Sequence, residues 1–239
     1  MKKIIYLFGF LTCLTASSFA QNNFPMSNAI WNVKYHDGEY LYGLIGETTF
    51  NDKIYSNLYL ISDTILSEEN IVSYIGSFRN EGQKVFFRPA YWMYPDILLY
   101  DFSVNLGDTV WHNAAVYYSH NGEYDVMSAS TYTIIQSIDI VNGIKVINNN
   151  FVPHWVENIG NYHGFFGHII AIPLNGNIPH LNCFKHNGIV IYPNRIHPDN
   201  PCNTCPCDGS VGIENCDIKN NSYLFQNQPN PFSETTEIR

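Results

Sequence analysis

Charged residues are scarce in this chain of 239 residues, and positive charge is the scarcer sign. Asp, Glu, Lys and Arg together make up 14% of the sequence, with 12 Lys and Arg against 21 Asp and Glu, and the net charge is −9. No basic run follows Lys3. Binding to a phosphate backbone or to an anionic membrane surface depends on clustered lysine and arginine. The composition therefore argues against a nucleic-acid partner.

The common catalytic and nucleotide-binding motifs are also absent. The sequence contains no Gly-x-Ser-x-Gly elbow, no P-loop and no dinucleotide-binding glycine pattern, which are the usual signatures of serine hydrolysis and phosphate binding. We predict no cofactor and no metal. The enzymatic alternative is a secreted hydrolase of polysaccharide or peptide with a carboxylate and histidine site. Its densest candidate cluster is His154, Glu157, His163 and His168, which does not match the His-Glu-x-x-His spacing of a metalloprotease helix.

Long apolar runs are missing except at the N-terminus. Two lysines precede the apolar run of residues 4–11, and small residues end the polar stretch that follows. This order predicts a signal peptide over residues 1–20, cleaved between Ala20 and Gln21. The run is shorter than the roughly 20 apolar residues that a membrane span needs. We expect no transmembrane span in the mature chain, and a location in the medium or at the cell surface, reached through the periplasm.

Asn-Gly pairs and aromatic residues, by contrast, are abundant. The chain has 17 Tyr and 15 Phe, and Asn-Gly is the strongest short hairpin signal because both residues tolerate a positive φ. We predict a hairpin at Asn142-Gly143 between strands of residues 131–141 and 144–148. We predict a second hairpin at Asn187-Gly188 between strands of residues 180–186 and 189–192. Weaker turns and loop tips are predicted at Asn121-Gly122, Asn175-Gly176, His36-Asp37-Gly38 and Asn80-Glu81-Gly82.

The segments between these turns are short and rich in β-branched and aromatic residues, which is strand composition. Only residues 67–74 favour a helical turn or two. We predict an all-β domain over residues 21–192, an antiparallel meander of short strands that forms a barrel or a sandwich, with little helix apart from the signal peptide. The clearest predicted strands outside the two hairpins are residues 30–35, 39–45, 54–61, 83–88, 97–103 and 109–112.

Five cysteines remain after the predicted cleavage. Four of them lie in residues 193–222, a segment rich in Pro, Asn, Asp and Gly that we interpret as a linker. Closely spaced thiolates could bind zinc, but thiols in an exported chain pair as disulfides. An odd number leaves one thiol free or intermolecular, and the sequence does not determine the pairing. The disulfide candidates are Cys183, Cys202, Cys205, Cys207 and Cys216.

Residues 223–239 contain a distinctive Gln-Asn-x-Pro-Asn-Pro-Phe motif, followed by Thr and Ile. This stretch resembles the start of the type A sorting domain of type IX secretion cargo, a domain several strands longer than the part that matches. The resemblance implies a small β-sandwich appended to an exported protein, with the type IX secretion machinery as its partner. The motif residues are Gln226, Asn227, Pro229, Asn230, Pro231 and Phe232.

The body also resembles uncharacterised secreted proteins that carry this kind of tail. The similar stretches are residues 98–103, 107–109, 155–160 and 181–184. These relatives usually have glycine where this chain has Asn158. The resemblance implies a shared fold and location, and it implies no reaction.

Two aromatic clusters, residues 86–94 and 116–118, have two interpretations. Alternate residues of a strand face inward, so these rings can fill the core. Exposed rings on a β scaffold can instead stack on sugars or anchor a protein partner. Our functional hypothesis is a secreted or cell-surface, non-enzymatic β domain that binds a glycan or a surface protein, with a passive adhesin as a further possibility. The candidate aromatic residues are Tyr91, Trp92, Tyr94, Tyr117 and Tyr118.

Overall fold

The structure, a computed structural model, describes residues 24–90, 95–118, 121–150, 155–167, 169 and 179–192. Strands account for 67% of these residues, and the only helical segment among them is the 3-10 turn Glu68–Asn70, so the all-β prediction is confirmed. The strands are β1 (Ala29–Tyr35), β2 (Gly38–Phe50), β3 (Lys53–Ile61), β4 (Ile71–Glu81), β5 (Lys84–Pro89), β6 (Ile97–Asp101), β7 (Thr109–Tyr118), β8 (Tyr124–Val141), β9 (Ile144–Asn149), β10 (Trp155–Val156), β11 (Gly160–Asn161), β12 (His180–His186) and β13 (Ile189–Tyr192).

The strands form two curled antiparallel sheets, each resembling half of a barrel. The larger has eight strands in the order β13-β12-β1-β2-β3-β4-β5-β6, and the smaller has five in the order β11-β10-β9-β8-β7. Buried side chains of both sheets belong to one hydrophobic cluster. The predicted signal peptide, linker and sorting tail lie outside the described residues.

The Asn-Gly turns occur where the sequence predicts them. Asn142 and Gly143 connect β8 to β9 with φ of 51° and 79°, and Asn187 and Gly188 connect β12 to β13 with φ of 50° and 76°. A positive φ at both central residues is what a tight hairpin turn requires. The turns nearest the other predicted positions lie at residues 36–37, 82–83 and 121–122, whereas 175–176 lies outside the described residues.

The helical expectation for residues 67–74 is correct only at its start. The 3-10 turn Glu68–Asn70 is followed directly by β4, which pairs with β3 on one side and β5 on the other. Ser67, the two glutamates and Asn70 resemble the polar start of a helix. Pairing with two neighbouring strands decides the conformation of the residues that follow, because it satisfies their backbone groups on both sides.

Buried polar contacts join the two sheets across the core. Trp31 of β1 donates its indole N–H to the carbonyl of Ile159 at 2.8 Å, and its ring meets Phe165 edge to face at 4.9 Å. Tyr42 of β2 donates to the carbonyl of Gly122, before β8, at 2.8 Å. These bonds satisfy polar atoms that would otherwise be buried without partners.

His112 is a buried polar residue of the smaller sheet. Its Nδ1–H donates to the carbonyl of Leu98 on β6 at 2.7 Å, and its Nε2 lies 3.0 Å from the hydroxyl of Thr133 on β8. Burial lowers the pKa of His112, and the bond to Leu98 opposes this only in part. A neutral imidazole with both nitrogens satisfied is stable in the core.

The lowered pKa of His112 predicts loss of stability on acidification. As the pH falls, His112 of the unfolded chain becomes protonated at about pH 6.5, whereas His112 of the folded chain does so only at a lower pH. The contribution of His112 to the free energy of unfolding is therefore complete above about pH 6.5 and is lost as the pH falls towards the folded pKa. Burial also lowers the pKa of His163, which acts in the same direction. Urea unfolding at pH 7.5, 6.5 and 5.5 measures the slope. His112→Gln is expected to flatten it, and an unchanged slope in this variant would contradict the assignment.

Asn158 adopts a left-handed backbone conformation, with φ of 67°. Glycine suits such a position, since it adopts a positive φ without steric cost. We expect Asn158→Gly to change the free energy of unfolding by less than about 1 kcal/mol, and Asn158→Val to reduce it by about 1–2 kcal/mol. Chemical denaturation of the two variants checks this, and equal effects would be inconsistent with a conformational cause.

Candidate functional site

The outer surface of the β7–β8 hairpin carries an exposed pair of aromatic rings. Trp111 and Tyr132 lie directly opposite each other in the register. Their ring centroids are 5.3 Å apart with planes inclined at 53°, and they are 62% and 41% exposed. Because side chains alternate along a strand, Val110 and His112 face the core and place the Trp111 ring outside.

Three further exposed side chains extend this surface along the same hairpin. Ile134 follows Tyr132 on the same side of β8, while Met127 and Tyr117 lie towards the opposite end. Trp111 and Tyr117 are six residues apart on β7, which corresponds to roughly 20 Å of strand. We call Trp111, Tyr117, Met127, Tyr132 and Ile134 the aromatic face.

Uncharged polar residues surround the two rings. Asn113, Ser130 and Gln136 are all exposed on β7 and β8. Asn150 lies beside Ile134, where its side-chain oxygen accepts the Ile134 amide at 2.8 Å. The aromatic face thus combines apolar ring surface with amide and hydroxyl groups that can donate and accept hydrogen bonds.

Positive charge is absent from the sequence of this hairpin. No lysine or arginine occurs between Arg88 and Lys145, and the Lys145 ammonium donates to the carbonyl of Phe102 at 2.6 Å. The acidic residues of the hairpin region lie towards the ends of the aromatic face. They are Asp108, Glu123, Asp125 and Asp139, all exposed, and in the part of the chain that the structure describes none forms an ion pair.

A cleft opens beside Asp125, where the start of β8 approaches β4 and the end of β5. Its volume is about 390 Å³, and Tyr74 and Tyr124 contribute rings to its wall. Glu123 and Asp125 add carboxylates. The cleft therefore places two acidic side chains near the Tyr117 end of the aromatic face, since Tyr117 lies opposite Asp125.

The aromatic residues predicted from sequence divide between binding surface and scaffold. Tyr117 is exposed, whereas Tyr118 stacks on Tyr35 at 4.0 Å and donates to Asp37 at 2.7 Å. Burial and the bond to Asp37 raise the pKa of the Tyr118 hydroxyl. Tyr118 thus fastens the β7–β8 hairpin to the β1–β2 turn. Tyr91, Trp92 and Tyr94 lie outside the described residues.

The first part of the 86–94 cluster is structural. Phe87 is buried in the core. Phe86 lies beneath the Arg79 guanidinium, whose central carbon is 4.0 Å from the centroid of the Phe86 ring. Arg88 covers the ring of Phe50 at 3.6 Å. The core-filling interpretation therefore applies to Phe87. The ring of Phe86 instead makes a cation–π contact with Arg79.

Two members of the histidine and glutamate cluster, His154 and His168, lie outside the described residues. His163 donates from Nδ1 to the carbonyl of Pro179 at 2.9 Å and lies beside His180, with ring centroids 5.0 Å apart. Burial is the main cause of the lowered pKa of His163. Glu157 is half-buried in the turn after β10. No group of three or more metal-ligating side chains occurs among the described residues.

Comparison with protein-family models, with curated proteins and with solved structures finds no match to this chain. Within the described ranges, no helix is long and apolar enough to cross a bilayer.

Trp111 is the functional candidate that the sequence reasoning missed. It lies in a predicted strand, residues 109–112, but the pattern Thr-Val-Trp-His gives no clear apolar side. A tryptophan is ordinarily assigned to the core and a histidine to the surface, and here the two are reversed. The only sequence signal for this reversal is the position of Val110. In a strand, Val110 and His112 lie on the same face and Trp111 lies on the opposite face.

Proposed function

We propose that this chain is a secreted or cell-surface, non-enzymatic β domain that binds a glycan through the aromatic face. The observation that carries the proposal is the solvent exposure of Trp111 and Tyr132 as a cross-strand pair on the β7–β8 hairpin. Large exposed rings have an unfavourable contact with water that a ligand can remove.

The chemistry of the surface favours a sugar ligand. A pyranose ring presents C–H groups on its faces and hydroxyl groups around its rim. The faces pack on aromatic rings, whose negative π surface attracts polarised C–H groups. The rim needs hydrogen-bond partners, and Asn113, Ser130 and Gln136 supply amides and a hydroxyl beside the rings. Because the rings project from paired strands, little backbone entropy is lost on binding.

A protein partner is the alternative, and the same residues would then act as anchors. Stable protein interfaces bury about 800 Å² on each side around an apolar core. The aromatic face is a narrow stripe one hairpin wide with polar side chains among its rings, which suits a linear ligand better than a broad interface.

Export is part of the proposal. Support comes from the predicted signal peptide and from the tail that resembles a type IX sorting domain. Cys183 is fully buried on β12, and we expect it to pair as a disulfide after export to an oxidising compartment. The other candidate cysteines, Cys202, Cys205, Cys207 and Cys216, lie outside the described residues.

A glycan array probed with the full chain, purified after export, tests the binding function. We expect selective binding to one class of polysaccharide, and we expect the Trp111→Ala variant to lose it. Equal binding by the wild type and the variant would place the ligand elsewhere.

N-terminal sequencing of the exported protein tests the export proposal, with Gln21 as the expected first residue. Finding the intact precursor only inside the cell would contradict it.

A further inference from the structure

The charge pattern around the aromatic face identifies a ligand class. We propose that the face selects an extended, uncharged polysaccharide chain lying along the β7–β8 hairpin and rejects acidic polysaccharides. This inference rests on the proposed glycan-binding function and adds both the direction of the chain and its charge.

The direction follows from the shape of the surface. The exposed side chains follow the strand axis, from Ile134 and the Trp111–Tyr132 pair to Met127 and Tyr117. Between these two groups lie the exposed polar residues Asn113 and Ser130, and Ala115, directly opposite Met127, is small, so none of these three side chains is a large ring. A surface of roughly 20 Å by two strands matches a ribbon of several sugar rings joined by equatorial linkages. A branched or compact glycan would contact only one end of it.

The charge selection follows from what surrounds this surface. Recognition of a sugar carboxylate or sulfate uses lysine or arginine, which supply charged donors, and neither occurs between Arg88 and Lys145. Asp108 directly precedes β7, three residues before Trp111, and its exposed carboxylate accepts a hydrogen bond from the Asn105 amide at 2.8 Å. Asp125 lies opposite Tyr117 at the other end, with Glu123 beside it in the wall of the cleft.

An acidic chain long enough to reach both ends would therefore approach carboxylates at each of them. Like charges repel each other, and salt weakens the repulsion because these side chains are exposed. No lysine or arginine between Arg88 and Lys145 is there to compensate. An uncharged chain meets no such penalty, and its hydroxyl groups can accept hydrogen bonds from Asn113 and Gln136.

Two probes with the same backbone test the inference. The neutral probe is a linear β-1,4-linked glucose hexasaccharide, and the acidic probe is the matching hexasaccharide of glucuronic acid. Isothermal titration with the full chain gives Kd for each at low and at high salt. We expect the neutral probe to bind at least tenfold more tightly at low salt, and the difference to shrink at high salt. Asp108→Asn combined with Asp125→Asn is expected to improve binding of the acidic probe alone.

A gain-of-function variant provides a second readout. Asn113→Lys places a cation beside the rings and is expected to raise affinity for the acidic probe several-fold. Equal affinity of the wild type for both probes, with Trp111→Ala weakening both, would overturn the charge selection and leave glycan binding intact. Binding of neither probe, or binding that Trp111→Ala does not change, would overturn the proposed function and this inference together.

Discussion

Replacing Trp111 with alanine is expected to weaken glycan binding by about 30-fold, which corresponds to a loss of about 2 kcal/mol. The indole is the largest exposed ring of the aromatic face and is 62% exposed, so its removal takes away stacking surface without opening a cavity in the core. The free energy of unfolding is therefore expected to change by no more than about 0.5 kcal/mol. Trp111→Phe retains a smaller ring and should lose only part of the affinity.

Ile140 supplies the matched control for this substitution. It is 68% exposed, lies on β8, the strand that pairs with β7, and is not part of the aromatic face. Ile140→Ala removes exposed apolar surface from the same sheet and is expected to leave Kd unchanged. An equal loss of affinity in both variants would mean that general surface hydrophobicity, and not the ring, causes binding. Unfolding curves of both proteins show whether either loss reflects stability.

Replacing Asp96 with alanine is expected to reduce the free energy of unfolding by about 2–4 kcal/mol. Its carboxylate accepts hydrogen bonds from the Tyr55 hydroxyl at 2.7 Å, from Arg79 Nε at 2.9 Å and from Arg88 at 3.1 Å. Burial is the largest influence on the pKa of Asp96 and acts to raise it, but the three donors together lower it. Without the carboxylate, the nearly buried Arg79 loses one of its two charged partners.

Glu81 is the control, because it also pairs with Arg79, at 2.5 Å, but its side chain is 61% exposed. Glu81→Gln is expected to cost less than about 1 kcal/mol, since exposed ion pairs contribute little. Asp96→Asn keeps the size of the side chain and should give an intermediate loss. Urea denaturation monitored by circular dichroism measures all three variants. A loss in Asp96→Ala no larger than that in Glu81→Gln would contradict a structural role for this cluster.

The hairpins could be predicted from sequence because their signals are local. Asn142-Gly143 and Asn187-Gly188 determine the turn, and the β-branched residues on either side determine the strands. Strand β4 and the first half of β8 were missed for the opposite reason. Residues 127–130 of β8, Met-Ser-Ala-Ser, have little β-propensity of their own, and this part of β8 becomes a strand by pairing with β7.

The aromatic face could not be predicted because its exposure depends on contacts distant in sequence. Burial of His112 requires a carbonyl from Leu98 on the other sheet and a hydroxyl from Thr133. Once His112 faces inward, the alternation of the strand places Trp111 outside. Similarly, the sequence marked Tyr117 and Tyr118 as one cluster, and the distant Asp37 and Tyr35 decide that Tyr118 belongs to the scaffold.

The central claim is that a glycan chain contacts the Trp111 ring, and fluorine NMR of the full chain labelled with 5-fluorotryptophan tests it most directly. The Trp111→Phe variant assigns the Trp111 resonance, and Trp31 and Trp155, both buried in the core, serve as internal references. On titration with the neutral glucose hexasaccharide, we expect the Trp111 resonance to shift until saturation while the Trp31 and Trp155 resonances stay in place. A saturating titration that leaves the Trp111 resonance unmoved would contradict the account.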